Sequence, residues 1–111
     1  MSFSPRPQAP EIDTARLADA LEQGATLIDV RMPDEYVEAH VPGAVLIPLP
    51  ELGQRTDEVP KGERVFVICA VGGRSLAAAA ALNKAGWDTV SVRGGTKAWQ
   101  AEGRPVLAGE A

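Results

Sequence analysis

The clearest strand pattern in the chain is Val65-Phe66-Val67-Ile68, which follows Arg64 with no polar residue between its members. A strand apolar at every position, rather than at every second one, is the kind buried on both faces of a parallel sheet. Thr26 to Val30, Ala44 to Ile47 and Thr89 to Val92 read as further strands. Between them the apolar spacing turns helical. Ala15, Leu17, Ala18 and Leu21 form one face of a helix that Asp13 or Thr14 can cap and Gly24 can stop. Pro33 suits the first turn of a short helix through Tyr36 and Val37, with Asp34 and Glu35 favourable at its positive end. Ser75 to Ala85 predicts a helix closed by Gly86, whose alanines 77–81 allow close approach to a sheet. Thr96 to Ala101 is the last helix, ended by Gly103. Pro42-Gly43 and Gly94-Gly95 mark turns, and Pro48, Pro50 and Pro60 leave 48–62 irregular. Strands alternating with helices predict an α/β domain with a mainly parallel sheet of about five strands and helices on both faces. The domain is expected over 11–105, with a flexible lead-in at 1–10 and a tail at 106–111.

Composition narrows the function. At 111 residues the chain is one domain. Its net charge of -4 excludes a first guess of nucleic-acid binding, which needs clustered positive charge. An aromatic content of 5% also argues against base-stacking platforms. No apolar stretch approaches the roughly 20 residues that span a membrane. Met1 to Pro10 has no apolar core of the signal-peptide kind, so a cytoplasmic protein is expected. There is no metal-ligand cluster and no nucleotide-binding fingerprint, so no metal or cofactor is expected. The single cysteine, Cys69, has no partner for an internal disulfide. It is either a small buried apolar residue or a reactive thiol.

Its surroundings favour the reactive thiol. Cys69-Ala70-Val71-Gly72-Gly73-Arg74-Ser75 joins the buried strand to the next helix. Parallel sheets present ligands at the carboxyl ends of their strands, where Cys69 falls. The helix start offers unpaired N–H groups and partial positive charge. Gly72 and Gly73 can turn successive N–H groups inward as an anion nest. Arg74 adds a permanent positive charge. All three favour a thiolate, with a pKa below the ordinary thiol value.

The same residues resemble the active-site loop of rhodanese domains, Cys-x-x-Gly-x-Arg followed often by Ser. Leu27-Ile-Asp-Val-Arg31, Glu35-Tyr36 and His40-Val-Pro-Gly-Ala44 resemble the family's N-terminal signature. Gly86-Trp87 with Val90, then Gly94-Gly95 and Trp99, resemble its C-terminal one. The likeness spans about residues 12 to 104. It implies thiosulfate-type sulfurtransferase chemistry. Sulfane sulfur passes from a small-molecule donor to Cys69 as a persulfide, then to cyanide or a thiol. It also implies that backbone N–H groups of Ala70, Val71, Gly72, Gly73, Arg74 and Ser75 cradle the sulfur, and that Arg74 attracts an anionic donor. Val71 departs from the polar residue many relatives carry there, which points toward a persulfide or protein donor. A non-enzymatic sulfur-relay or protein-binding module is therefore the alternative. A phosphatase or arsenate reductase is disfavoured: Arg74 follows Cys69 after four residues, and such enzymes resemble Cys-x5-Arg.

The remaining polar residues read as support. Asp29, at the end of a buried strand, needs partners such as a neighbouring loop or an arginine. Arg31 and Glu35, four apart, are expected to pair with each other. His40 could form a dyad with Cys69 but belongs to the turn motif, so a structural role is expected. Trp99 is expected in the core and Trp87 over the sheet edge. Gly94-Gly95 could open a second anion site at a helix start, a tight turn being the plainer reading. Asp57, Glu58 and Glu63 are expected on a solvated loop.

Overall fold

A computed structural model describes residues 7–110. The first six residues of the expected lead-in lie outside the described residues. Five strands form one sheet: β1 (Glu11–Ile12), β2 (Thr26–Asp29), β3 (Val45–Leu46), β4 (Arg64–Ile68) and β5 (Asp88–Val92). Their order is β1-β5-β4-β2-β3 and every pairing is parallel. The helices are α1 (Thr14–Glu22), α2 (Pro33–Glu38), α3 (Leu49–Leu52), α4 (Gly73–Lys84) and α5 (Gly95–Ala101).

The uninterrupted apolar strands are explained by cover on both sides. Leu27, Phe66, Ile68, Val90 and Val92 point to one face, where Leu17 of α1, Tyr36 of α2 and Trp99 of α5 meet them. Ile28, Val65 and Val67 point to the other, against Leu52 of α3 and Ala78 and Leu82 of α4. Each fully buried Val or Ile contributes roughly 1.5–3 kcal/mol relative to exposure. The alternation of side chains along β4 puts Cys69 on the α4 face.

Several elements differ from the sequence reading. Glu11–Ile12, for which the sequence pattern predicts no element, forms an edge strand on β5, because Ser91 donates to Pro10 O and Arg93 to Ile12 O. Residues 48–62 are less irregular than their prolines imply. Pro50 occupies the first turn of α3, where a missing N–H costs nothing, and Thr56–Glu58 is a 3₁₀ turn. Helix α4 starts at Gly73, two residues early, because Gly72 takes the left-handed conformation at its cap, with φ 116°. Trp87 does not cover the sheet edge. It packs against the α4-side core and its indole Nε1 donates to Val59 O. Beyond Arg104, Leu107 exchanges two backbone hydrogen bonds with His40, both 2.9 Å. Asp13, rather than Thr14, caps α1 by accepting from Arg16 N at 2.9 Å.

Candidate active site

The strand β4 ends and the chain turns sharply at Cys69 before entering α4. The thiol is buried, and its sulfur faces the inside of the turn. Gly72 N donates to Sγ at 3.1 Å, and the positive φ of that glycine turns the chain directly into α4. The Ser75 hydroxyl lies 3.4 Å from Sγ, 3.2 Å from Gly72 O and 2.8 Å from the Ser91 hydroxyl. A hydroxyl carries one proton. When Sγ is a thiol, it donates to Ser75; when it is a thiolate, Ser75 donates to it and Ser91 stands behind as the next donor. Both serines are fully buried.

This environment sets the charge state. Burial is the largest influence on Cys69 and disfavours its thiolate. The Ser75 hydroxyl and the backbone N–H groups of Ser75, Gly72 and Val71 together outweigh it, and the pKa falls below the ordinary thiol value. The direction matches expectation, but the weight of the causes differs. The dominant favourable contributions come from hydrogen bonds of the loop, not from Arg74.

Arg74 is engaged elsewhere. Its two Nη atoms donate to the two carboxylate oxygens of Glu35, both at 2.8 Å. This overturns the expected Arg31–Glu35 pair. Glu35 sits one helical turn past Met32 and accepts from its backbone N at 3.0 Å, which aims the carboxylate across to the loop rather than back to Arg31. Arg31 turns inward instead. Its N, Nε and Nη2 all donate to the fully buried Asp29, at 2.9–3.2 Å, and Nη2 also reaches Ala39 O. The need of Asp29 for a partner is thus met by an arginine two residues away. That pair holds the segment after β2 against the end of α2. Hydrogen bonding from Arg74 is the main reason that the Glu35 pKa falls to about 2, with Met32 N assisting and burial opposing.

The second glycine turn locks the loop from behind. Thr96 N donates to Cys69 O at 2.9 Å and Lys97 N to Ala70 O at 3.0 Å, while Thr96 Oγ1 adds a bond to Cys69 O at 3.1 Å. The leading N–H groups of α5 therefore hold carbonyls, and the turn reading of Gly94-Gly95 prevails over a second anion site. A Cβ on Gly95 would lie 2.5 Å from Cys69 O, so only glycine permits this approach. Ser91 and Thr96 are supporting residues that sequence reasoning missed. A serine and a threonine in a core pattern are the only local signals they leave.

His40 is buried with its ring stacked on Tyr36, centroids 3.7 Å apart, and its Nδ1 donates to Tyr36 O. The ring serves α2 and the turn after it, as expected. Trp99 is buried in the core as expected. Asp57, Glu58 and Glu63 are exposed, Glu58 pairing with Arg55. Among the described residues no group of His, Cys, Asp and Glu could hold a metal, and no helix is long and apolar enough to cross a membrane.

A buried cysteine ringed by loop donors at the end of a parallel strand has clear counterparts. Residues 13–102 match the family model of the rhodanese-like domain. The chain belongs to that family. It is 35% identical over 103 residues to a sulfurtransferase of Allochromatium vinosum, covering 90% of this chain and 96% of the relative. It is 42% identical over 72 residues to the thiosulfate sulfurtransferase PspE of Escherichia coli, covering 63% and 69% of the two chains. The crystal structure of a rhodanese-related protein from Thermoplasma volcanium superposes with a TM-score of 0.84 at 33% identity, over 89% of this chain and 98% of the other. In this rhodanese-like domain the strand that delivers the cysteine, β4, lies at the middle of the sheet, between β5 and β2.

Proposed function

We propose that the protein is a sulfurtransferase working through a persulfide on Cys69. The observation that carries this reading is the sulfur's setting: a buried Sγ with the Gly72 N–H at 3.1 Å and the Ser75 hydroxyl at 3.4 Å, in a loop whose hydrogen bonds favour the thiolate. The Cys69 thiolate attacks the sulfane sulfur of a donor such as thiosulfate. The donor's S–S bond breaks and sulfite leaves with the electron pair. The negative charge now on the outer sulfur of Cys69–S–S⁻ is met by N–H groups of the loop, as an oxyanion is met in acyl transfer. Cyanide or a thiolate then attacks that outer sulfur, takes it, and releases Cys69 as a thiolate again. Net charge and atoms balance in both steps, and no base is needed once the thiolate is formed.

Intact-mass measurement after incubation with thiosulfate tests the reading. We expect a one-sulfur adduct on the wild type, removed by cyanide with release of thiocyanate, and none on Cys69→Ser. Equal turnover by both proteins would refute it. The exposed Val71 supports a second reading, a relay module serving a protein partner. An adduct that cyanide and small thiols leave in place, but a partner protein removes, would favour that reading.

A further inference from the structure

Resting on the sulfurtransferase reading, we propose that Arg93 is the residue that receives an anionic sulfur donor at the mouth of the Cys69 loop, the role that sequence alone gives to Arg74. Arg74 is disqualified by its geometry. Both of its terminal nitrogens are held by the Glu35 carboxylate, so most of its charge is neutralised before a donor arrives.

Arg93 differs in each respect. It directly follows β5, and its backbone N donates to Ile12 O at 2.8 Å, which fixes its place at the end of the sheet. Side chains alternate along a strand, so Arg93 shares the face of Ser91. That is the face on which Ser91, Ser75 and Cys69 Sγ are linked. The two glycine turns also touch there. A Cβ built on Gly72 would lie 3.9 Å from the Arg93 Cα and 3.6 Å from Gly94 N. Gly72 is the residue whose N–H meets the sulfur. Arg93 is exposed, and it forms no ion pair and no side-chain hydrogen bond among the described residues. Lys97 is another unpaired cation nearby, but it lines a polar cleft shared with Glu35 and Glu38 on the Ala70 side of the loop. A dianionic donor approaching a chain of net charge -4 meets general repulsion. An unpaired arginine set beside the Gly72 turn offsets it and orients the donor's sulfonate end outward.

The experiment measures sulfur loading by thiosulfate, a dianion, and by benzenethiosulfonate, a monoanion that leaves as benzenesulfinate. Variants are Arg93→Ala, Arg93→Glu and Arg93→Lys, with Arg16→Gln on α1 as a control of equal charge change to Arg93→Ala. We expect Arg93→Ala to raise KM for thiosulfate about two- to fivefold, the range of an exposed charge contact. Arg93→Glu should raise it further, and Arg93→Lys should restore most of the loss. The increase should be smaller with benzenethiosulfonate, and the salt dependence of thiosulfate loading should flatten. Arg16→Gln should match the wild type. Wild-type loading with unchanged KM in Arg93→Ala and Arg93→Glu would overturn the assignment alone. A wild type that loads from neither donor would overturn the sulfurtransferase reading, and this inference with it.

Discussion

Glu35 and Arg74, 39 residues apart in sequence, meet in a two-pronged ion pair with both contacts at 2.8 Å. The pair ties the start of α2 to the loop that carries Cys69. Its consequence is acid sensitivity. The folded Glu35 pKa of about 2 lies below its ordinary 4.5, so the folded state favours the ionised form. The contribution to stability is complete above about 4.5 and is lost as pH falls toward about 2. Both side chains are about one third exposed, so solvent screening limits the pair to roughly 1 kcal/mol. Unfolding free energies of the wild type and Glu35→Gln from urea titration should differ by this amount at neutral pH and converge at the acid end. A constant gap across the window would contradict the assignment.

Ser75→Ala removes the side-chain donor that most lowers the Cys69 pKa. Alkylation of the wild type by iodoacetamide should accelerate with pH along a curve centred below the ordinary thiol range. In the variant that curve should move to higher pH, and the reaction at neutral pH should slow by up to about tenfold if it moves by one pH unit. The variant also strips Ser91 of its buried hydroxyl partner, at a cost of about 1–3 kcal/mol. Coincident alkylation curves would show that the backbone N–H groups alone set the thiolate.

Gly95→Ala should damage both fold and site. Its Cβ would meet the backbone of Cys69 and Ala70 at 2.5–2.6 Å, in addition to the strain of φ 61°. Gly24→Ala supplies the comparison, since φ there is 88° but nothing lies within 4 Å. Denaturant unfolding should show a loss of about 1 kcal/mol for Gly24→Ala and at least twice that for Gly95→Ala. Only Gly95→Ala should slow sulfur loading. Similar losses in both variants would mean that the turn tolerates the contact.

The parallel sheet was legible because Val65 to Ile68 and much of Thr26 to Val30 are apolar without alternation, which burial on both faces requires. Cys69 was legible as a site because a loop glycine and a helix start follow it closely, and a local backbone turn is encoded by local residues. The edge strand Glu11–Ile12 was not legible. Two residues carry no period, and its pairing with β5 is made by backbone groups that nearly every residue possesses. The short helix α3 was obscured by prolines that its first turn happens to accommodate.

Charge partners marked the boundary between the two kinds of information. From the sequence, Arg31 and Glu35 stood at helical spacing and Arg74 stood beside the cysteine. Spacing constrains only neighbours on one element. The chain itself determined that a cysteine would end a buried strand, that glycines would let N–H groups face its sulfur, and that arginines and acids would lie near. Tertiary structure decided which met. Packing α2 against the loop gave Arg74 to Glu35. Burying Asp29 at the end of β2 drew in Arg31, because a carboxylate shut away from water needs a charged partner within reach. Bringing β5 beside β4 left Arg93 unpaired next to Gly72, a juxtaposition of residues 21 positions apart that no local pattern contains.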